Sequence, residues 1–260
     1  MAVNPTEPPG SEPRAEPPGS EPRAEPPGSA GSAAGLPERV ARLGVPDLVY
    51  RVLRGLVRGI NRLWFRVDLQ VEEPVPDAGP VILAPVHRSF LDFLVVSEVT
   101  RRKIFYMAKD DLWKSPLLGS FLEAIGAFPV NRSGADRLAL DRAQEVLERG
   151  DALIVFPEGT RRHGPVVEDL QEGAAFLAAR TGAPVVPIGV GGSARAMPKG
   201  SKLVRPVKIH LRVGRALPAP ARTGRGRVPR SQVHAFSEQI RAELQRLFDQ
   251  AEAAAADSHR

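Results

Sequence analysis

Short apolar runs alternate with helical patterns along most of this chain, and that alternation restricts the possible fold more than any other feature. Val81-Ile82-Leu83-Ala84 is apolar at every position, as expected of a strand covered on both faces. Pro85 has no N–H to give a ladder and ends the run. Ile104–Ala108, Ala152–Phe156 and Pro184–Val190 read as further buried strands. Val207–Val213 instead alternates, with Val207, Ile209, Leu211 and Val213 inward. Between the strands, spacing predicts helices over about Phe90–Arg101, Pro116–Ile125, Ala135–Glu148 and Leu170–Arg180. Gly150 and Gly182 stand just beyond the last two as stops. A final amphipathic helix carries Val233, Phe236, Ile240, Leu244 and Leu247. The fold class implied is α/β, with a mostly parallel central sheet flanked by helices.

Open sheets of this kind bind ligands beyond the carboxyl ends of their strands. Three polar clusters leave strands at such ends: His87 to Asp92, Asn131-Arg132, and Glu158 to Arg161. Ser89-Phe90-Leu91-Asp92 has the capping-box pattern, so a helix should start near Phe90. His87 then sits on a strand-to-helix turn, with Asp92 in the first helical turn. On one continuous helix the two would lie about 140° apart and could not meet. The turn lets His87 fold back onto Asp92, one imidazole nitrogen held by the carboxylate and the other free to take a proton. The plainer alternative is a solvated His beside an Asp that only caps.

Several chemistries are not indicated. The chain has no Cys, which removes disulfides, Cys-ligated zinc and a thiol nucleophile. It has no Gly-x-Ser-x-Gly elbow and no Walker phosphate loop, and Gly189 to Gly192 lacks dinucleotide-binding spacing. No His pair has zinc-ligand spacing; His163, His210, His234 and His259 read as loop, strand or helix-surface residues. No metal and no cofactor is expected. A His–Asp base without its own nucleophile must activate something that arrives, and a substrate hydroxyl is the natural candidate. Arg132 and Arg161 suit a carboxylate or phosphate on that molecule. A pre-activated electrophile such as a thioester completes the set.

Charge is uneven. The net charge is +6, yet residues 1–38 hold six Glu against two Arg, which puts +10 on the remainder. Gly173 to Ser237 carries twelve Lys or Arg and no Asp or Glu. Such a surface suits an anionic partner, and simple solubility is the alternative. Few of the ten Phe, two Trp and two Tyr lie among those basic residues, so there is little to stack on bases and no nucleic-acid partner is expected. Leu48, Val49, Val52, Leu53, Leu56, Val57, Ile60, Leu63 and Trp64 recur at helical spacing within 46–67, with Arg51, Arg54, Arg58, Arg62 and Arg66 between them. A basic amphipathic helix of this kind lies in a membrane interface, or packs its stripe on the domain core, or divides it between the two. Ahead of it, residues 7–29 repeat a nine-residue Pro/Gly/Glu unit with no aliphatic face. Residues 1–38 are therefore expected to be a disordered tail, and 39–255 the folded domain. No signal pattern and no apolar run of ~18–20 residues is present, so a cytoplasmic protein is expected.

Four stretches, in order, resemble the four blocks of the glycerophospholipid acyltransferase family, specifically its 1-acyl-sn-glycerol-3-phosphate (lysophosphatidic acid) acyltransferases. They are His87 to Asp92 with Arg88 and Ser89, Gly126 to Arg132, Phe156-Pro157-Glu158-Gly159-Thr160-Arg161, and Val186-Pro187-Ile188. The resemblance implies catalysis by His87 and Asp92. It implies substrate binding by Arg88, Ser89, Arg132, Glu158, Gly159, Thr160 and Arg161. It also implies an acyl-CoA or acyl carrier protein donor, a lysophosphatidic acid acceptor, and a place on the inner face of the plasma membrane, at an anionic surface. The family usually has Asn before the catalytic His, where this chain has Val86. Oxyanion donors are not named by the blocks; backbone N–H groups near Phe90 are the candidates.

Overall fold

The structure, a computed structural model, describes residues 47–130, 137–198, 200–201, 203–221 and 228–258. The tail expected over 1–38 and the Asn131-Arg132 cluster lie outside them. Helix α1 (Asp47–Leu63) leads into β1 (Asp68–Val71) and β2 (Val81–Pro85). One turn of helix, α2 (Asp92–Val95), and a 3-10 turn (Val96–Val99) precede β3 (Ile104–Lys109). A second 3-10 turn (Asp110–Lys114) and α3 (Pro116–Ala124) lead to β4 (Ala127–Val130). Then follow α4 (Arg137–Glu148), β5 (Ala152–Ile154), α5 (Gly173–Thr181), β6 (Val185–Gly191), α6 (Ser193–Ala196), β7 (His210–Val213) and α7 (Arg230–Asp257).

Among the described residues the strands form one seven-stranded sheet in the order β1-β7-β6-β2-β5-β3-β4. Every pairing is parallel except β6 with β7. Central β2 and β6 are buried at every position, which accounts for their uninterrupted apolar sequence. Leu83 of β2 is level with Ile154 of β5, and the Val155 N–H donates to the Leu83 carbonyl just beyond. Four residues further along each strand the two chains reach His87 and Glu158, so parallel register alone brings the first and third polar clusters together. The edge strand β4 runs the same way, so its carboxyl end lies at the same end of the sheet.

The helix expected over Phe90–Arg101 is much shorter. It begins at Asp92 and gives way to 3-10 geometry after Val95. Val95, Val96 and Val99 are β-branched and poor helix formers, and the Ser97 hydroxyl donates to the Leu94 carbonyl. The Arg54 guanidinium on α1 caps the end of this segment, donating to the carbonyls of Ser97, Thr100 and Arg102.

That contact also orients α1. The side turned to the domain carries Arg54 and buried Asn61, whose amide donates to the Leu94 carbonyl and to Glu98. Leu48, Val52, Leu56 and Leu63 are 64, 62, 62 and 82% exposed. The helix therefore packs on the domain through a mixed face of Tyr50, Leu53, Arg54, Val57 and Asn61, and leaves most of its apolar stripe outside. No described helix is long and apolar enough to cross a membrane.

Helix α7 lies directly on β6 and β7. Gly189 and Gly191 make this possible, since a Cβ on Gly189 would overlap the backbone of Leu247 and Phe248, and one on Gly191 that of Ala251 and Glu252. The glycine-rich run near residue 190 thus serves close backbone packing.

Candidate functional site

The turn after β2 is closed by one carboxylate oxygen. Asp92 Oδ2 accepts the backbone N–H groups of Arg88 and Ser89, each at 2.7 Å, and lies 3.0 Å from His87 Nδ1. This is half of the expected capping box: the acid reaches back, while the Ser89 hydroxyl accepts from Leu91 N–H and donates to the Met197 carbonyl. Asp92 is fully buried, whereas the His87 side chain is 13% exposed. With Nδ1–H given to the carboxylate, Nε2 is the nitrogen left for proton exchange. The ring stacks on Phe156 at a centroid distance of 4.0 Å.

A second carboxylate supports the turn from the neighbouring strand. Glu158 Oε2 accepts the His87 backbone N–H at 2.8 Å. Both Glu158 oxygens also accept from Arg88 Nη1, at 2.6 and 2.7 Å. Glu158 and Arg88 are 1% and 3% exposed. Two residues expected to bind substrate are thus buried against each other. The N–H groups of His87, Arg88 and Ser89 are all engaged by carboxylates, which closes them to a substrate oxygen.

The remaining residues of these clusters fall into two groups. Arg161 is half-buried and lines the same cleft as His87. Thr160 is exposed, and its N–H donates to the Glu158 carbonyl. Gly159 has φ +67°, which favours glycine, and turns the chain from the buried Glu158 to the accessible Arg161. Ser89 is buried and ties the turn to the segment after β6. Val86 is buried, its N–H paired to the Ile188 carbonyl, so its side chain offers the cleft nothing polar. Arg132 lies outside the described residues.

The cleft beside His87 encloses about 870 Å³ of empty space, its solvent mouth included. Its walls are mainly apolar: Phe90, Phe93, Tyr106, Leu112, Leu122 and Phe156 contribute. Sequence reasoning missed these residues. Half of them come from β3, the following 3-10 turn and α3, where they are indistinguishable from core. Burial pushes the Tyr106 phenol far above its usual range, so it remains neutral in this wall.

A second His–acid pair shows what a structural version looks like. His210 Nδ1 is 2.9 Å from Asp68 Oδ2, which also accepts from Arg212 at 3.1 Å, and His210 Nε2 is 3.0 Å from the Ser258 hydroxyl. Both ring nitrogens are occupied and the residue is buried. Burial pushes His210 below its ordinary value, against the opposing hydrogen bond from Asp68. At Asp68 burial acts upward, but the His210 and Arg212 hydrogen bonds outweigh it and hold the carboxyl low. Both shifts give stability that is present above the unfolded-state values and lost on acidification. The melting temperature should therefore fall as pH is lowered from about 7.5 to about 5.5, through the ordinary His range. The fall should be shallower in His210→Gln. Thermal melts across that series check it, and identical slopes would remove His210 as the cause.

Comparison with known proteins finds similar sequences and a similar fold. The family model described as Acyltransferase matches residues 66–191. A chloroplastic 1-acyl-sn-glycerol-3-phosphate acyltransferase of Brassica napus is 31% identical over 156 residues, covering 55% of this chain and 44% of that protein. The Bacillus subtilis 1-acyl-sn-glycerol-3-phosphate acyltransferase is 28% identical over 170 residues, covering 65% of this chain and 82% of its own length. The match thus spans less than half of the plant relative and most of the bacterial one. The crystal structure of the 1-acyl-sn-glycerophosphate acyltransferase PlsC from Thermotoga maritima has the same fold, with a TM-score of 0.61 at 21% identity over 81% of this chain and 86% of that one. Over the strands that carry both site turns, the chain is thus similar to the acyltransferase family.

Proposed function

We propose that the protein transfers a fatty acyl chain from an acyl thioester to the hydroxyl of 1-acyl-sn-glycerol 3-phosphate, giving phosphatidic acid. The observation that carries this reading is the His87–Asp92 pair at 3.0 Å, opening onto an apolar cleft that Arg161 shares. The names of the relatives supply the substrate class. His87 Nε2 takes the proton of the acceptor hydroxyl as its oxygen attacks the thioester carbonyl. The tetrahedral intermediate collapses, the C–S bond breaks, and the imidazolium returns that proton to the leaving sulfur. Asp92 holds the tautomer and offsets the charge that forms on the ring. Arg161 meets the acceptor phosphate, with Thr160 at the exposed edge of its turn and Arg132 as a second guanidinium. The apolar walls receive acyl chain. The donor is acyl-CoA or acyl carrier protein, and no cofactor takes part.

The exposed stripe of α1 gives the docking mode, with the protein peripheral on the inner face of the plasma membrane. Leu48, Val52, Leu56 and Leu63 enter the headgroup boundary while Arg51 and Arg62 meet anionic lipid. Val52→Glu/Leu56→Glu removes two apolar contacts worth about 1.5–3 kcal/mol each. Sedimentation with phosphatidylglycerol vesicles should show binding weakened at least about tenfold. Undiminished binding would dismiss α1 as the membrane element.

The deciding assay incubates purified protein with acyl-CoA and a panel of lysophospholipids and glycerol 3-phosphate, read by mass spectrometry. Phosphatidic acid should be the main product, and Arg132→Ala and Arg161→Ala should raise the acceptor KM more than the donor KM. Acylation of glycerol 3-phosphate alone would reassign the acceptor. Sedimentation with both vesicles and DNA, without acyl transfer, would favour a non-enzymatic basic binding protein.

A further inference from the structure

Resting on the acyl-transfer reading, we infer that Arg88 and Glu158 are a positioning pair that sets the spacing of His87 and the Arg161 turn, and that neither touches substrate. Glu158 has no exposed oxygen left for a ligand: its side chain is 0% exposed, and it accepts from Arg88 and from the His87 N–H. Arg88 uses the rest of its fork on the loop that follows Arg161. Its Nε donates to the Gly164 carbonyl at 3.3 Å and its Nη2 to the Val166 carbonyl at 3.0 Å. The guanidinium lies 4.6 Å over the Phe248 ring of α7, which closes its remaining face. The Arg162 N–H completes the circuit by donating to the His87 carbonyl at 2.9 Å.

One ion pair therefore joins three things: the backbone of the base, the turn carrying the accessible arginine, and the loop behind it. The pair is too buried to be a docking point for a phosphate, because a bound anion would have to displace Glu158 from Arg88 and leave a carboxylate unpaired in the interior. Its effect on transfer passes through geometry. A displacement of about 1 Å between base and acceptor can cost about 10²-fold in rate.

The test uses the full chain with lysophosphatidate and acyl-CoA. Glu158→Gln should lower kcat about 100-fold while the acceptor KM moves less than about threefold, whereas Arg161→Ala should mainly raise that KM. Arg88→Met/Glu158→Gln removes both charges and guards against misfolding of the single variants. It should melt nearer the wild type than either single variant and be no slower than the slower of them, as expected for residues acting as one unit. Two readouts are independent of transfer. The downfield proton of the His87–Asp92 hydrogen bond should broaden in Glu158→Gln, and hydrogen exchange over 162–167 should quicken in Arg88→Lys, which keeps a charge but not the fork. A tenfold rise in acceptor KM in Glu158→Gln, with kcat and the downfield proton unchanged, would make Glu158 a substrate ligand and overturn the inference. If the wild type transfers nothing, the proposed function falls, and the proton and exchange readouts still decide the role of the pair.

Discussion

Replacing His87 by Ala is expected to slow acyl transfer by about 10²–10⁴-fold and to leave the melting temperature within a few degrees. The two effects separate because of how the turn is built. Asp92 Oδ2 keeps its two backbone donors, Arg88 and Ser89, when the imidazole is gone. Glu158 keeps Arg88 and the residue 87 N–H, which the substitution does not alter. What disappears is the proton acceptor and its stacking on Phe156. Asp92→Ala should behave differently. It strands two buried N–H groups, at about 1–3 kcal/mol each, so it should lose stability as well as turnover. Single-turnover kinetics beside thermal melts distinguish the two variants. Retained turnover in folded His87→Ala would leave the imidazole without a catalytic role.

The second large effect lies far from the cleft. Gly191→Val is expected to destabilise the domain by more than about 3 kcal/mol, a large share of the about 5–15 kcal/mol that holds a typical domain. Strand β6 is central and buried throughout, and the added side chain would have to enter the backbone of α7 at Ala251 and Glu252. Helix α7 cannot retreat without withdrawing Leu244, Leu247 and Phe248 from the core. Loss of the Phe248 ring would also uncover Arg88. Gly55→Ala on α1 is the control: no atom stands within 4 Å of its added Cβ, and replacing a helical glycine by alanine gains about 0.5–1 kcal/mol. Chemical denaturation of both variants tests the pair, and equal midpoints would mean that α7 yields where the packing says it should not.

The sheet was legible because burial on both faces leaves a plain mark. Val81–Ala84 and Val185–Val190 are apolar at nearly every position, and both are central strands. The His87–Asp92 contact was legible because a capping pattern behind a Pro-terminated strand leaves few places for the side chains to go. The Arg88–Glu158 pair was not, since 70 residues separate the partners and only strand register brings them together. The cleft walls were hidden for a different reason. Phe93, Tyr106 and Leu122 have the composition of core, and whether an apolar side chain meets another or an open space is a property of the assembled layers. On α1, amphipathicity was plain but the inward face was not. Three backbone carbonyls at the end of a distorted helix recruit Arg54 and so fix which side turns in.

The register between β2 and β5 carries a consequence for how such a domain can diversify. The reactive turns are set by two neighbouring strands paired Leu83 to Ile154. The walls of the cleft come largely from the intervening segment through β3, the second 3-10 turn and α3. Insertions or deletions in that excursion can remodel the pocket while the imidazole and its acids remain in place, because the central ladder does not count the residues between its strands. A slip of a single residue within the ladder would turn His87 to the opposite face and abolish the site in one step.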